Sequence, residues 1–94
     1  MAIALTSRKF DKIVYTGSTE KGKLVAAAAG KNLVPCILEL GGKSPCVVDE
    51  SADIDFTAKK IVTGRFQNAG QTCIAPDYVI VHQSVQDKLI KSLR

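Results

Sequence analysis

Tryptophan is absent, aromatic side chains supply only 5% of the residues, and no apolar stretch approaches the ~20 residues of a membrane-spanning helix. So few aromatics argue against a stacking platform for single-stranded nucleic acid. Cysteine is sparse too: Cys36, Cys46 and Cys73 are odd in number and form no CxxC pair, which argues against a disulfide framework and a structural zinc site. The expected setting is reducing and intracellular, with the cytoplasm as default. The opening Met1–Leu5 is too short for the apolar part of a signal peptide and has no basic segment before it. Any membrane anchor is expected outside these residues.

What is present reads as globular material. Apolar residues make up 46% and charged residues 23%, far from the composition of a disordered chain. A length of 94 residues predicts one compact domain at most. The formal charge of +4 comes from 13 basic residues scattered along the chain, three of them Arg, and a solvated surface explains them better than a nucleic-acid site does.

The punctuation of the chain predicts alternating strands and helices. Asp11 to Thr16 reads as a strand stopped by Gly17, and a helix follows from Thr19 to Lys31 with Leu24, Val25 and Ala26 to Ala29 as a slim packing face. Leu33 to Leu40 reads as a strand covered on both faces. Gly41 to Pro45 reads as a flexible turn and hinge, followed by the short apolar run Cys46 to Val48. Ser51 or Asp53 caps a helix to about Asn68, with Ile54, Ala58, Ile61, Val62 and Phe66 at helical spacing. Tyr78 to Val81 reads as a strand, and Ser84 as the cap of a last short helix.

Three places on this frame carry chemistry. Gly17, Ser18, Thr19, Glu20, Lys21 and Gly22 follow a strand and open a helix, where free N–H groups and the helix dipole suit a phosphate. The spacing resembles a P-loop, but Leu24 stands where a nucleotide triphosphatase needs a hydroxyl for its magnesium ion. A plain turn with a Ser18 or Thr19 cap explains the same residues equally well. Cys73 lies on a polar, glycine-containing turn, where a thiolate can meet a substrate, although an incidental cysteine is the commoner occupant of such a site. Cys36 and Cys46 sit in apolar runs and read as small hydrophobes. Glu39, between Leu38 and Leu40, reads as a partly buried carboxylate able to accept a proton, with a salt bridge to lysine as the alternative. His82 has no second ligand at metal spacing, so no metal is expected.

Taken in order, Tyr15-Thr16-Gly17-Ser18-Thr19, Leu38 through Pro45 with its double glycine, and Gly70-Gln71-Thr72-Cys73 resemble the signature segments of the aldehyde dehydrogenase family. The run from Asn68 to Tyr78 most resembles the class 3 and fatty aldehyde branch. The resemblance implies an α/β fold, with residues 1–40 ending a Rossmann-like NAD(P)-binding domain, 41–94 opening an α/β catalytic domain, and the active site at their junction. It implies oxidation of an aldehyde to a carboxylic acid with NAD as default cofactor and NADP as the alternative. Cys73 would attack the carbonyl to give a thiohemiacetal and then a thioester, its backbone N–H helping to hold the oxyanion. Glu39 would activate the hydrolytic water, and Gly17 through Gly22 would hold cofactor phosphate. Lys21 departs from the small or apolar residue usual there.

The family's upstream oxyanion asparagine, its cofactor-binding lysine segment and its downstream ribose-binding glutamate have no counterpart in these 94 residues. The reading is therefore an internal piece of a longer, homo-oligomeric enzyme, with an inactive or merely interacting piece as alternative and a P-loop nucleotide triphosphatase as a remote one. Apolar faces built for absent neighbours predict that the 94-residue chain alone aggregates or folds only in part. A cooperative unfolding transition of a monomer, followed by circular dichroism in urea, is the result that contradicts this.

Overall fold

The computed structural model describes residues 2–94, with side chains from Ala4 onward. The chain forms two compact units, one ending at Gly41 and one running from Gly42 to Arg94, where length alone predicted a single domain. Each unit has two parallel strands joined through a helix. The fold is α/β, as expected.

The first unit opens with a short helix α1 (Ala2–Thr6), in a stretch to which the sequence pattern assigned no element. Strand β1 (Ile13–Thr16), helix α2 (Thr19–Lys31) and strand β2 (Cys36–Glu39) follow. β1 and β2 pair in parallel from Ile13 opposite Cys36 to Thr16 opposite Glu39. On α2 the inward residues are Gly22, Val25 and Ala29, spaced three and four apart, while Leu24 points to solvent at 62% exposure. The packing face is therefore narrower than the run Leu24–Ala29 indicated. Gly22 is needed for closeness: a Cβ there would lie 2.7 Å from Cδ2 of Leu40.

The end of α2 corrects the predicted start of β2. Leu33 N–H donates to the Gly30 carbonyl at 3.2 Å and Val34 N–H to the Ala29 carbonyl at 3.0 Å, the paired bonds of a Schellman cap. This cap puts Leu33 at φ 53°, a left-handed conformation that no strand residue adopts. Regular pairing therefore begins at Cys36.

The second unit contains β3 (Ser44–Val48), α3 (Ile54–Phe66), a 3₁₀ turn (Gln67–Gly70), β4 (Pro76–Val81), a second 3₁₀ turn (Gln83–Val85) and α4 (Gln86–Ser92). β3 pairs in parallel with β4, from Ser44 opposite Pro76 to Val48 opposite Val81. Ser44 and Pro45 belong to this strand rather than to the glycine turn. A register shift between them admits a proline that cannot donate to the ladder. Val48, Ile54, Ala58 and Leu89 form the core, with Cys46, Ile61, Val79 and Val81 packed against it. Full burial of a side chain of that size contributes about 1.5–3 kcal/mol. Val62 and Phe66, read with Ile61 as one apolar series, face solvent instead.

The choice of caps follows from which side chain reaches the open N–H groups. Asp53 caps α3, its Oδ1 accepting from Phe56 N–H at 3.1 Å. Ser51 is otherwise engaged: its hydroxyl and N–H donate to Asp49 Oδ1 at 2.6 and 2.9 Å. The hydroxyl bond, followed by the backbone one, holds the Asp49 carboxyl below its ordinary pKa. Ser84 does not cap the final helix. It lies inside the second 3₁₀ turn, and the His82 ring Nδ1 accepts from its N–H at 3.4 Å.

The stretch Leu33 to Leu40, read as a strand covered on both faces, is covered on one within this chain, and the other strands share that arrangement. One crossover helix covers one face, and Val14, Ile37, Val47 and Ile80 on the other remain 65%, 44%, 73% and 54% exposed. No helix among the described residues is long and apolar enough to cross a membrane.

Removing the Asp53 cap isolates the start of α3 without touching the core. Asp53→Ala is expected to cost about 1 kcal/mol and Asp53→Asn a few tenths, measured by urea titration of the shortest version of the protein that unfolds cooperatively.

Candidate active site

Cys73 stands exposed in the turn between the first 3₁₀ helix and β4. The chain arrives there by an unusual route. Asn68, Ala69 and Gly70 have φ of 52°, 56° and 77°, three successive residues in the left-handed region. For Ala69, which has a Cβ, that conformation costs about 1–2 kcal/mol. A small ring of hydrogen bonds offsets this. Asn68 Nδ2 donates to the Gln71 carbonyl at 3.1 Å, while Gln71 donates to the Asn68 carbonyl from Nε2 at 3.2 Å and from its backbone N–H at 3.1 Å.

The main chain of Cys73 is held from the side of β3. Its carbonyl accepts from Ser44 Oγ at 3.3 Å. The same oxygen lies 2.7 Å from where a Cβ on Gly42 would stand, so only glycine leaves it room. The two glycines at the boundary of the units therefore differ. A Cβ on Gly41 would meet nothing within 4 Å. Downstream of the turn, Asp77 faces Lys43 Nζ at 3.1 Å and Arg65 Nη1 at 3.9 Å, and Arg65 also donates to the Pro76 carbonyl at 3.3 Å. Both pairs are partly exposed and contribute little by charge alone.

The remaining candidates lie in the first unit, at the carboxyl ends of β1 and β2. Gly17 N–H donates to the Glu39 carbonyl at 3.0 Å, which sets the phosphate-type turn beside Glu39. Open α/β sheets bind ligands at this edge. Ser18 is the N-cap of α2, its Oγ accepting from Lys21 N–H at a long 3.4 Å. The Thr19 and Glu20 N–H groups have no intrahelical acceptor, as in the first turn of any helix, and Glu20 is paired with Lys23 at 2.9 Å. Along α2 runs an open groove bordered by Tyr15, Lys21, Leu24, Val25, Ala28 and Lys31. Free N–H groups at a helix N-terminus suit a phosphate, and an apolar groove with lysines at its rim suits a flat ring.

Glu39 departs from its expected setting. Strand alternation puts it with Ile37 on the open face of β2, so it is exposed rather than partly buried, and burial cannot be what suits it to accept a proton. Among the described residues no lysine pairs with it. Cys36 and Cys46 lie half-buried within strands, as small hydrophobes do. Arg65, Ser44 and Gly42 were missed because their role depends on a turn distant in sequence. Only the Asn-Ala-Gly run, rich in residues suited to left-handed turns, signalled a special conformation there.

Comparison with known proteins adds kinship to this geometry. Residues 2–94 match the family model described as "Aldehyde dehydrogenase family". The "Aldehyde dehydrogenase, dimeric NADP-preferring" of Mus musculus is 52% identical over 90 residues, which is 96% of this chain and 20% of the mouse protein. The solved substrate-bound AldH of Staphylococcus aureus superimposes with a TM-score of 0.89 at 51% identity, over 98% of this chain and 20% of that one. PnpE in complex with nicotinamide adenine dinucleotide gives a TM-score of 0.90 at 34% identity, over 98% and 19%. The chain thus spans about a fifth of the length of the relatives it matches.

The contrast between the two glycines is directly measurable. Gly42→Ala is expected to destabilise by about 1–3 kcal/mol, because a backbone carbonyl cannot yield as a side chain can. Gly41→Ala is expected to stay within about 0.5 kcal/mol, and equal midpoints for the two variants in thermal unfolding would contradict the assignment.

Proposed function

The chain belongs to the aldehyde dehydrogenase family, and from that premise we propose that, within a longer enzyme, it oxidises an aldehyde to a carboxylic acid with NAD or NADP. The observation that carries the proposal is the exposed Cys73 on a turn whose main chain is tied down by Ser44, Gly42 and the Asn68–Gln71 ring. A nucleophile needs access and a fixed trajectory together, and misplacement by about 1 Å costs on the order of 10²-fold in rate.

In this reading the Cys73 thiolate adds to the aldehyde carbonyl, forming a C–S bond and a thiohemiacetal whose oxygen the Cys73 N–H helps to hold. The chemistry supplied by a bound nicotinamide is hydride acceptance. Cys73 then carries the oxidised carbon as a thioester. Glu39, exposed to water, removes a proton from the water that attacks this thioester. The C–S bond breaks, the acid leaves, and the thiol is restored.

The turn Gly17, Ser18, Thr19, Glu20, Lys21 and Gly22 would hold cofactor phosphate through the N–H groups that open α2, with Lys21 at the rim of the groove. The change of unit between Gly41 and Gly42 supports an assignment of residues 1–40 to the cofactor domain and 41–94 to the catalytic one. The intact enzyme is proposed to be an intracellular homo-oligomer, in keeping with the mouse relative described as dimeric. The short span relative to the family favours one second reading, in which the 94 residues alone are inactive.

The test is aldehyde-dependent NAD(P)H formation by the 94-residue chain and by a version extended at both ends. Activity is expected only in the extended version and is expected to vanish in Cys73→Ser. Glu39→Gln should lower turnover about 10²-fold yet keep a stoichiometric burst of NAD(P)H, because general-base catalysis acts on the second half-reaction. Turnover that survives Cys73→Ser would remove the assignment.

A further inference from the structure

We propose that Arg65 is a positioning residue that clamps the two ends of the turn carrying Cys73. The guanidinium spans that turn. On its downstream side Nη1 donates to the Pro76 carbonyl at 3.3 Å and lies 3.9 Å from Asp77 Oδ1. Upstream, Nη2 and the Arg65 carbonyl oxygen each lie 3.2 Å from where a Cβ on Gly70 would stand. One side chain from the last turn of α3 thus bonds to Pro76, just after Ala75, and occupies the space that a side chain at Gly70 would need. Gly70, at φ 77°, meets two demands at once: it admits the left-handed turn and leaves space for the guanidinium.

The clamp answers a mechanical need. Three successive residues in the left-handed region persist only where their surroundings over-determine them. The Asn68–Gln71 ring fixes the upstream arm, and Ser44 fixes the Cys73 carbonyl. Arg65 joins the upstream arm to the start of β4. The Arg65–Asp77 pair is too exposed for its charge to matter much, so planar shape is the property in use. A lysine carries the charge but lacks the planar fork that donates to Pro76 while filling the space beside Gly70. This role rests on the proposed reaction for its purpose, though not for its geometry.

The experiment uses the extended protein with Arg65→Ala and Arg65→Lys. Hydrogen exchange is read at the Gln71 and Ala75 amides, which are hydrogen-bonded to the Asn68 and Thr72 carbonyls, with Ala58 in α3 as internal reference. Exchange at Gln71 and Ala75 is expected to rise about tenfold or more in both variants while Ala58 is unchanged. The kcat for aldehyde oxidation should fall about 10- to 100-fold with little change in aldehyde KM. Unchanged exchange at the turn, full restoration by lysine, or an equal rise at Ala58 would each overturn the clamp. If Arg65→Ala fails to fold, Arg65→Lys decides by the same readings. A parent protein without Cys73-dependent NAD(P)H formation would remove the dehydrogenase reading and leave the clamp to be judged by exchange alone.

Discussion

Parallel pairing of two short strands is the constraint on which the rest depends. A parallel pair cannot be joined by a hairpin, so each unit must send its chain back through a helix laid directly on the sheet. With strands of four to six residues the contact area is small, and closeness compensates for area. This explains why the inward positions are occupied by Gly22 and Ala29 on α2 and by Ala58 on α3. Gly64 continues the same logic, since a Cβ there would come within 3.2 Å of Pro76, where β4 begins. The turn that presents Cys73 is therefore bounded at one end by a helix held tight to the strand at its other end.

The elements that could be read in advance are those governed by local chemistry. Helix α2 runs from Thr19 to Lys31 as its cap and stop residues indicated, and Asp53 begins α3 for the same reason. The failures have a common source in contacts beyond the local window. Leu33 was assigned to a strand by its apolarity, but the end of α2 required a left-handed residue there. Ser84 sits inside a 3₁₀ turn capped by the His82 ring, so it does not cap α4, and Pro45 entered a strand because the ladder shifts register beside it.

The site shows the same division. The exposure of Cys73 was legible from its polar turn, and the phosphate-type turn sits at the strand ends where its glycine and following helix implied. Glu39 was misjudged because flanking leucines suggested burial, whereas alternation along β2 gives them the other face. The supporting residues were invisible. Nothing in the spacing between Arg65 and Pro76, or between Gly42 and Cys73, marks them as neighbours, and only the fold brings each pair into contact.

Each sheet has two strands, so every strand is an edge. An edge presents unpaired N–H and C=O groups, and any extended peptide that arrives can use them as a template. Synthesis on the ribosome makes arrival order matter, because the β1–β2 rim emerges before β3 and β4 do. The apolar faces of Val14 and Ile37 reach solvent at that same moment. In the nascent protein this rim is a free edge with an apolar face, open to pairing and packing by the remaining strands and helices of the same enzyme.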